Sequence, residues 1–372
     1  MEMAIVKNEC PLLEFSTEQK VYLSPETPEK TLPRLCLVTY FEEILTAFVE
    51  HYHAEQVEDY VTEMRSFPIY QAQVEGYILC ATQGVLGAGG AAKQIDFLYG
   101  HGAEVVIACD SCGIVDPDIQ SGTIILPVRA LRAEGASYHY LHAERYIDLE
   151  DKYIEKARNI LKIRKIPYER CITWTTDGPY RESHEMVAYR RSEGCRVVET
   201  QCSAMAAVAK CRGKGFGEIL YAGDKLREQD IYDEVFYNDH DTGRQNTFLV
   251  ALEVLCRSDD RVLHTMEVKP EFFDAFLRGG KRIEIRCLDE KRRNIRVGDT
   301  VQLQKPNGEF LRGRVTELIA GDSFGDLYDR VTPEELGFPG MGRREFVSTM
   351  RSIYPVEREK LLGVIGIRIE PV

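Results

Sequence analysis

Apolar residues come in short runs broken by turn-forming residues, and several runs are followed by segments with helical spacing. Leu35–Tyr40 and Glu104–Ala108 are nearly unbroken apolar stretches, which predicts strands buried on both faces. Glu42–Tyr52 sets Ile44, Leu45, Phe48 and Val49 on one side of a helix. Pro68–Val74 and Gly76–Ala81 read as a strand pair around a tight turn. Further strands are predicted at Gly122–Val128, Glu169–Thr175, Arg196–Thr200 and Glu218–Ala222. Helices are predicted at Asp151–Leu161, from Cys202 through Lys210, and at Asn246–Arg257. Strands alternating with helices predict an α/β domain, a mixed sheet with flanking helices that binds its ligand along one edge.

The pattern changes after the polar junction Arg257-Ser258-Asp259-Asp260. A strand at Val262–Val268 and a short helix at Pro270–Leu277 precede an alternating stretch. There Lys281, Ile283 and Ile285 share one face, and Arg282, Glu284 and Arg286 the other. Strands follow at Val297–Leu303, Gly313–Leu318 and Leu361–Ile369. The 372 residues are therefore divided into domains at 1–258 and 259–372.

Composition narrows the classes. With 44% hydrophobic and 29% charged residues the chain can bury a large core. No apolar run is long enough to span a membrane, and the N-terminus lacks the pattern of a signal peptide, so a cytoplasmic location is expected. The 11 cysteines form no CxxC pair, which suits buried thiols better than a disulfide framework or a zinc site; no metal is expected. From Asp259 onward 20 Lys+Arg meet 20 Asp+Glu, so the whole net charge of −13 falls on the first part. Such an acidic domain repels nucleic acid and points to a small ligand.

Candidate chemistry collects where strands end. The strand Glu169–Thr175 runs into Thr176-Asp177-Gly178-Pro179-Tyr180-Arg181-Glu182. A tyrosine beside a charged pair on such a turn suits a flat polar ring, and it equally suits an ordinary strand-to-helix connection. Gly84-Val85-Leu86-Gly87-Ala88-Gly89-Gly90 offers backbone N–H groups to an anion, or simply lets a helix approach the sheet. Ser111-Cys112-Gly113 and Gly223-Asp224-Lys225 follow two other strands.

These segments, with Glu134–Tyr140 and Val198-Glu199-Thr200-Gln201, occur in an order that resembles the nucleoside phosphorylase family across roughly Cys10–Arg257. The resemblance implies a phosphorylase-like sheet and cleavage of the N-glycosidic bond of a nucleoside through a sugar of oxocarbenium character. Phosphate or water attacks, and inorganic phosphate is the possible co-substrate. It implies that Asp224 protonates the leaving base, a purine, and that Tyr180 packs on the base. Arg181, Glu199, Gln201 and His139 join Tyr180 at the substrate, with Gly84 and Ser111 at the phosphate. His139 reads equally as a buried ring satisfied by its neighbours, and Asp224 as a helix cap. The resemblance also implies a homo-oligomer, dimer or hexamer.

Three charged groups of the family pattern are absent. Leu23–Pro28 has neither the glycine nor the arginine of the family's N-terminal phosphate segment, Ala108 stands where a second arginine is found, and the ribose-binding acid is Gln201. An amide hydrogen-bonds a diol but lends no negative charge to a cationic sugar. Arg129, Arg132, Arg181 and Arg227 are the candidate replacements. These absences give weight to the alternative of a nucleoside-sensing or RNA-binding regulatory protein without turnover.

In the second domain, the Gly279-x-Lys281-x-x-Glu284-x-Arg286 spacing, Val297-Gly298-Asp299 and Gly363–Ile367 resemble the ASCH domain, a small PUA-like β-barrel. That resemblance implies RNA or a nucleotide bound in a cleft lined by Lys281, Glu284 and Arg286. Arg278–Arg296 holds eight basic residues against three acidic ones, a candidate phosphate-facing patch or an ordinary solvated surface.

Overall fold

The computed structural model describes residues 5–16, 21–27, 31–225, 241–258 and 263–371, with the backbone alone at 224, 225 and 241. The chain divides into two compact units. The first holds the described residues up to Thr27 and from Leu35 to Ser258; the second holds 31–34 and 263–371.

In the first unit, β1 (Ile5–Val6) and β2 (Phe15–Ser16) pair as a small ribbon. The main sheet comprises β3 (Leu35–Thr39), β4 (Glu55–Val61), β5 (Ser66–Val74), β6 (Tyr77–Gln83), β7 (Val105–Ile114), β8 (Ile124–Ala133), β9 (Tyr146–Asp148), β10 (Tyr168–Thr176), β11 (Cys195–Glu199) and β12 (Gly215–Lys225). Their order is β11-β10-β8-β12-β7-β3-β6-β5-β4, with β9 on β8. The predicted strand pair is β5–β6, and its turn falls at Glu75 and Gly76, both at positive φ (48° and 83°). Two consecutive positive φ values match the twist of the flanking strands. β4 ends the open side of the sheet and carries Glu55, Glu58 and Asp59.

The other side closes on itself. β11 also pairs antiparallel with β7, Val197 opposite Ile114 and Val198 opposite Gly113, so β7, β12, β8, β10 and β11 form a ring. β7 is longer than its apolar run because β12 pairs with it from Val105 through Ile114. On its other side β7 pairs with β3 only as far as Cys109, and with β11 only from Gly113. Residues 110–112 therefore have a neighbouring strand on one side alone. Where two neighbours of a strand diverge, the sheet opens a crevice.

The helix Asp151–Arg164 buries Tyr153, Ile154, Ala157, Ile160 and Leu161, one stripe at helical spacing, and ends at Lys165 in the left-handed conformation (φ 56°). Its Tyr153 lies on the start of β12. A Cβ on Gly215 would fall 1.9 Å from the Tyr153 hydroxyl, and one on Gly217 would fall 2.9 Å from Tyr153 Cβ. The two glycines thus set how closely this helix approaches the ring.

The second unit contains β13 (Leu263–Glu267), β14 (Ile283–Cys287), β15 (Thr300–Gln304), β16 (Phe310–Gly321) and β17 (Val364–Pro371), in the order β13-β15-β16-β17-β14. Among the described residues β13 and β14 do not pair, so the sheet is an open path. One core packs Phe273, Val301, Leu303, Val315 and Ile367; another packs Ile283, Phe324, Leu327, Phe346 and Met350.

Gly215→Ala is expected to destabilise the first unit by about 1–3 kcal/mol through overpacking against Tyr153. Urea denaturation followed by circular dichroism measures it, and an unchanged midpoint would show that the helix shifts freely.

Candidate functional site

The crevice beside β7 is lined by polar side chains. Asp110 opens the stretch that lacks a second neighbour, and its Oδ1 accepts the backbone N–H of Ser111 at 2.7 Å. Its Oδ2 accepts from Gln201 Nε2, and Gln201 Oε1 accepts the Thr200 hydroxyl at 2.5 Å. That hydroxyl fixes the amide so that its NH2 faces Asp110. Gln201 precedes the helix Cys202–Arg212, which β11 feeds directly.

Two more carboxyls lie behind Asp110. Glu199, at the end of β11, accepts four donors: the Thr175 hydroxyl at 2.6 Å, the Thr173 hydroxyl at 3.2 Å, and the N–H groups of Gln201 and Cys202 at 2.7 and 2.6 Å. Glu218, inside β12, is as deeply buried but has no such frame. Apart from the weak thiol donor of Cys202 beside it, neither of its oxygens has a partner among the described residues. Burial raises the pKa of both glutamates, and that of Glu218 much further, because it lacks donors and faces Glu199 and Asp110. Burial also pushes Asp110 up to about 7, against the pull of Ser111 and Gln201. Tyr40, which follows β3, is raised as well, by burial and then by Asp110. Among the described residues no Lys or Arg pairs with these three carboxyls, and no group of three or more His, Cys, Asp and Glu is placed to hold a metal.

Arginines are present nearby but engaged elsewhere. Arg132 is buried and donates to Ser137 Oγ at 2.8 Å and to the carbonyls of His142 (2.8 Å) and Leu141 (3.4 Å). Arg129 pairs with Asp148 at 2.5 Å, Arg181 is exposed, and Arg227 lies outside the described residues. Glu134 extends the buried polar network through Ser203 Oγ at 2.8 Å and the Ser137 N–H at 3.0 Å.

The structure distributes the predicted residues unevenly. Ser111, Glu199 and Gln201 meet at the crevice. Asp224 is the next-to-last residue of strand β12 by its backbone, and its side chain lies outside the described part. Gly84 is next to the crevice but does not offer its N–H to an anion, since that group donates to Thr39 O at 2.8 Å. A Cβ there would lie 2.5 Å from the Tyr40 ring, so Gly84 makes room for Tyr40. The Val85 N–H is likewise used, by Gln94 Oε1 at 2.8 Å. Tyr180 is 88% exposed and Arg181 is exposed beside it, so in the single chain neither packs on a ligand in the crevice. His139 is exposed on a short 3-10 turn, which is neither a buried ring nor a side chain in the crevice. Leu23–Thr27 forms no strand or helix.

Asp110, Glu218 and Glu134 were not singled out from the sequence. The available signal was an acid inside a strand: Glu218 interrupts an otherwise apolar strand, and Asp110 stands five residues into β7.

In the second unit a cleft of about 90 Å³ is lined by Lys281, Glu284, Arg286, Phe272, Phe338 and Tyr354, among others. The three predicted residues therefore do meet. Lys281 lies ahead of β14, not within it, which lets it turn to the side of Glu284. Its Nζ donates to Ile283 O at 2.6 Å and Leu336 O at 2.8 Å, and stands 3.6 Å from Glu284. Two hydrogen bonds and one ion pair hold the ammonium, and burial lowers its pKa. Arg286 pairs with Glu284 at 2.9 Å and donates to Glu267 O at 2.6 Å, while its Nε is unpaired among the described residues. In the basic segment, Arg292 pairs with Asp289 at 2.9 Å, and Arg293 and Arg296 donate to carbonyls of the same segment, so much of its charge is engaged internally.

The model of the phosphorylase superfamily matches residues 34–255, and the chain belongs to that superfamily. A guanosine phosphorylase of Halorubrum lacusprofundi is 24% identical over 171 residues, 45% of this chain and 69% of that protein. An uncharacterized protein of Acanthamoeba polyphaga mimivirus is 25% identical over 154 residues, 40% of this chain, and the match spans 60% of its length. Among solved structures, uridine phosphorylase from Vibrio fischeri superposes with a TM-score of 0.53 at 20% identity, covering 63% of this chain and 95% of that one. Purine nucleoside phosphorylase from Toxoplasma gondii gives 0.54 at 15% identity, covering 65% and 97%. These likenesses show the fold of the first unit.

Two stability measurements follow from the charges. The pKa of folded Glu218 lies above its ordinary 4.5, so the folded state holds the extra proton and loses stability as pH rises beyond that value. Glu218→Met is therefore expected to stabilise the protein by about 1–3 kcal/mol, with a gain that grows from pH 5 to pH 8. Thermal melts across that range check both sign and trend. Lys281→Met leaves two carbonyls and Glu284 short of a donor, and is expected to destabilise the second unit by about 3–5 kcal/mol. Hydrogen exchange at β14 amides reads that loss locally.

Proposed function

We propose that the first unit cleaves the N-glycosidic bond of a nucleoside, a purine nucleoside if Asp224 is the acid, and that water is the attacking group. Membership of the phosphorylase superfamily supports nucleoside chemistry in general. The choice of water rests on one observation: the crevice presents Asp110 held by Gln201 and Ser111, with two more carboxyls behind and, among the described residues, no cation paired with them. A phosphate dianion brought there meets like charge in a medium of low dielectric, whereas a neutral water meets hydrogen-bond acceptors. A sugar that gains positive charge at its anomeric carbon is stabilised by Asp110 and Glu199 in their ionised forms. Gln201 takes the ribose hydroxyls in this reading, and Ser111 lies beside them.

The exposure of Tyr180 favours the second reading, a protein of this fold that senses a nucleoside without turning it over. A homo-oligomer remains part of the proposal, with exposed Tyr180, Met186 and Tyr189 on neighbouring turns available to a second copy. For the second unit we propose a nucleotide or RNA ligand in the cleft of Glu284 and Arg286. Arg286 and Glu284 line it as charged groups, and Lys281 shapes the floor.

Incubation of the purified protein with a panel of purine and pyrimidine nucleosides, with and without phosphate, decides among these. Base release independent of phosphate is expected. Release only with phosphate would establish phosphorolysis instead, and no release from any nucleoside that binds would leave the sensing protein.

A further inference from the structure

Three buried carboxyls meet at one crevice, and their surroundings differ enough to divide the labour among them. Glu199 already accepts two hydrogen bonds on each oxygen, so its lone pairs are filled. Glu218 is 3% exposed and lies in the middle of β12, without access to solvent. Asp110 accepts the Ser111 N–H on one oxygen and the Gln201 amide on the other, with the Ser111 hydroxyl as a further donor, so it has fewer donors than Glu199 and keeps a lone pair free. It also retains the largest exposure of the three, 9%, and lies in the stretch of β7 with an open flank.

We infer that Asp110 is the general base of the proposed hydrolysis, and this inference rests on the hydrolytic reading given above. A water in the crevice transfers one proton to an Asp110 oxygen as its own oxygen bonds to the anomeric carbon of the sugar. The bond from that carbon to the base nitrogen breaks, and its electron pair leaves with the base. The base nitrogen takes a proton, from Asp224 or from solvent. Asp110 then returns its proton to solvent, so that nucleoside and water become sugar and free base. Gln201 is a positioning residue in this scheme: its amide holds the carboxylate toward the crevice, and the Thr200 hydroxyl keeps the amide from turning.

The electrostatic setting suits the role. Glu199 from β11, Glu218 from β12 and the Tyr40 hydroxyl from the end of β3 face Asp110, together with the Cys109 thiol on β7 itself; none of them is a cation. Their proximity and the burial of the site disfavour a second negative charge, which makes Asp110 a far better proton acceptor than an exposed carboxylate.

The test compares wild type, Asp110→Asn and Gln201→Glu in phosphate-free base release between pH 5 and pH 9, with equilibrium binding of the same nucleoside. In wild type, kcat/KM is expected to rise with pH through a midpoint near 7, because the ionised carboxyl is the active form. Asp110→Asn is expected to lower kcat by about 10²–10⁴-fold, with nucleoside affinity within about threefold of wild type, and to abolish the pH limb. Gln201→Glu sets another carboxyl against Asp110 and is expected to move the midpoint to higher pH. If wild type is active and Asp110→Asn matches its kcat, or if the Gln201→Glu midpoint stays in place, Asp110 is not the base although hydrolysis stands. Should wild type release no base from any nucleoside, the hydrolytic reading falls and this inference with it.

Discussion

A carboxylate taken out of water must find its donors inside the protein, and Glu199, on β11, finds four of them on two other elements. Two come from hydroxyls of β10, and two from the first N–H groups of the helix Cys202–Arg212. The same side chain thus satisfies two donors that the start of a helix always leaves open and ties β10 to β11 from below. Ser203 continues the link, its N–H reaching Thr175 and its hydroxyl reaching Glu134. The end of β8 is drawn in through Glu134, Ser137 and Arg132. Closure of the strand ring and placement of Gln201 over Asp110 are therefore one arrangement, fixed by one acid.

Glu218 marks the opposite case. It is buried to a similar degree, and no comparable set of donors surrounds it. Proteins keep such groups where a function needs a perturbed acid, and hold them by stability gained elsewhere in the fold. Here the surplus comes from the ring and its helices, whose apolar side chains are almost wholly enclosed.

The α/β alternation was legible because the buried strands are apolar throughout and helices such as Asp151–Arg164 carry a clear stripe. Elements that bury little were not. β4, with the sequence Glu-Gln-Val-Glu-Asp-Tyr-Val, reads as polar because most of its side chains face solvent. The helix His184–Ser192 buries no residue, so it has no periodicity to detect. At the site, the order of short motifs led to Ser111, Glu199 and Gln201, which do converge. Tyr180 and His139 did not follow, since a motif fixes position along the chain but not which way a side chain on an exposed turn points. Asp110 is not legible because the apolar run of its strand ends at Cys109. Only pairing with β12 carries that strand on through polar residues, and long-range pairing leaves no local trace. In the second unit the spacing of Lys281, Glu284 and Arg286 did place them together, yet the carbonyls that occupy Lys281 come from Ile283 and from the distant Leu336.

Among the described residues, one flank of the main sheet is sealed as a ring, and β4 at the far side leaves one edge of its backbone unpaired. That strand sets Glu55, Glu58 and Asp59 along the row of open N–H and C=O groups. A second β4 arriving edge to edge would stack carboxylate on carboxylate at strand spacing, a repulsion that grows as salt is removed. Strand-swapped aggregates and sheet-to-sheet polymers along this edge are thereby discouraged.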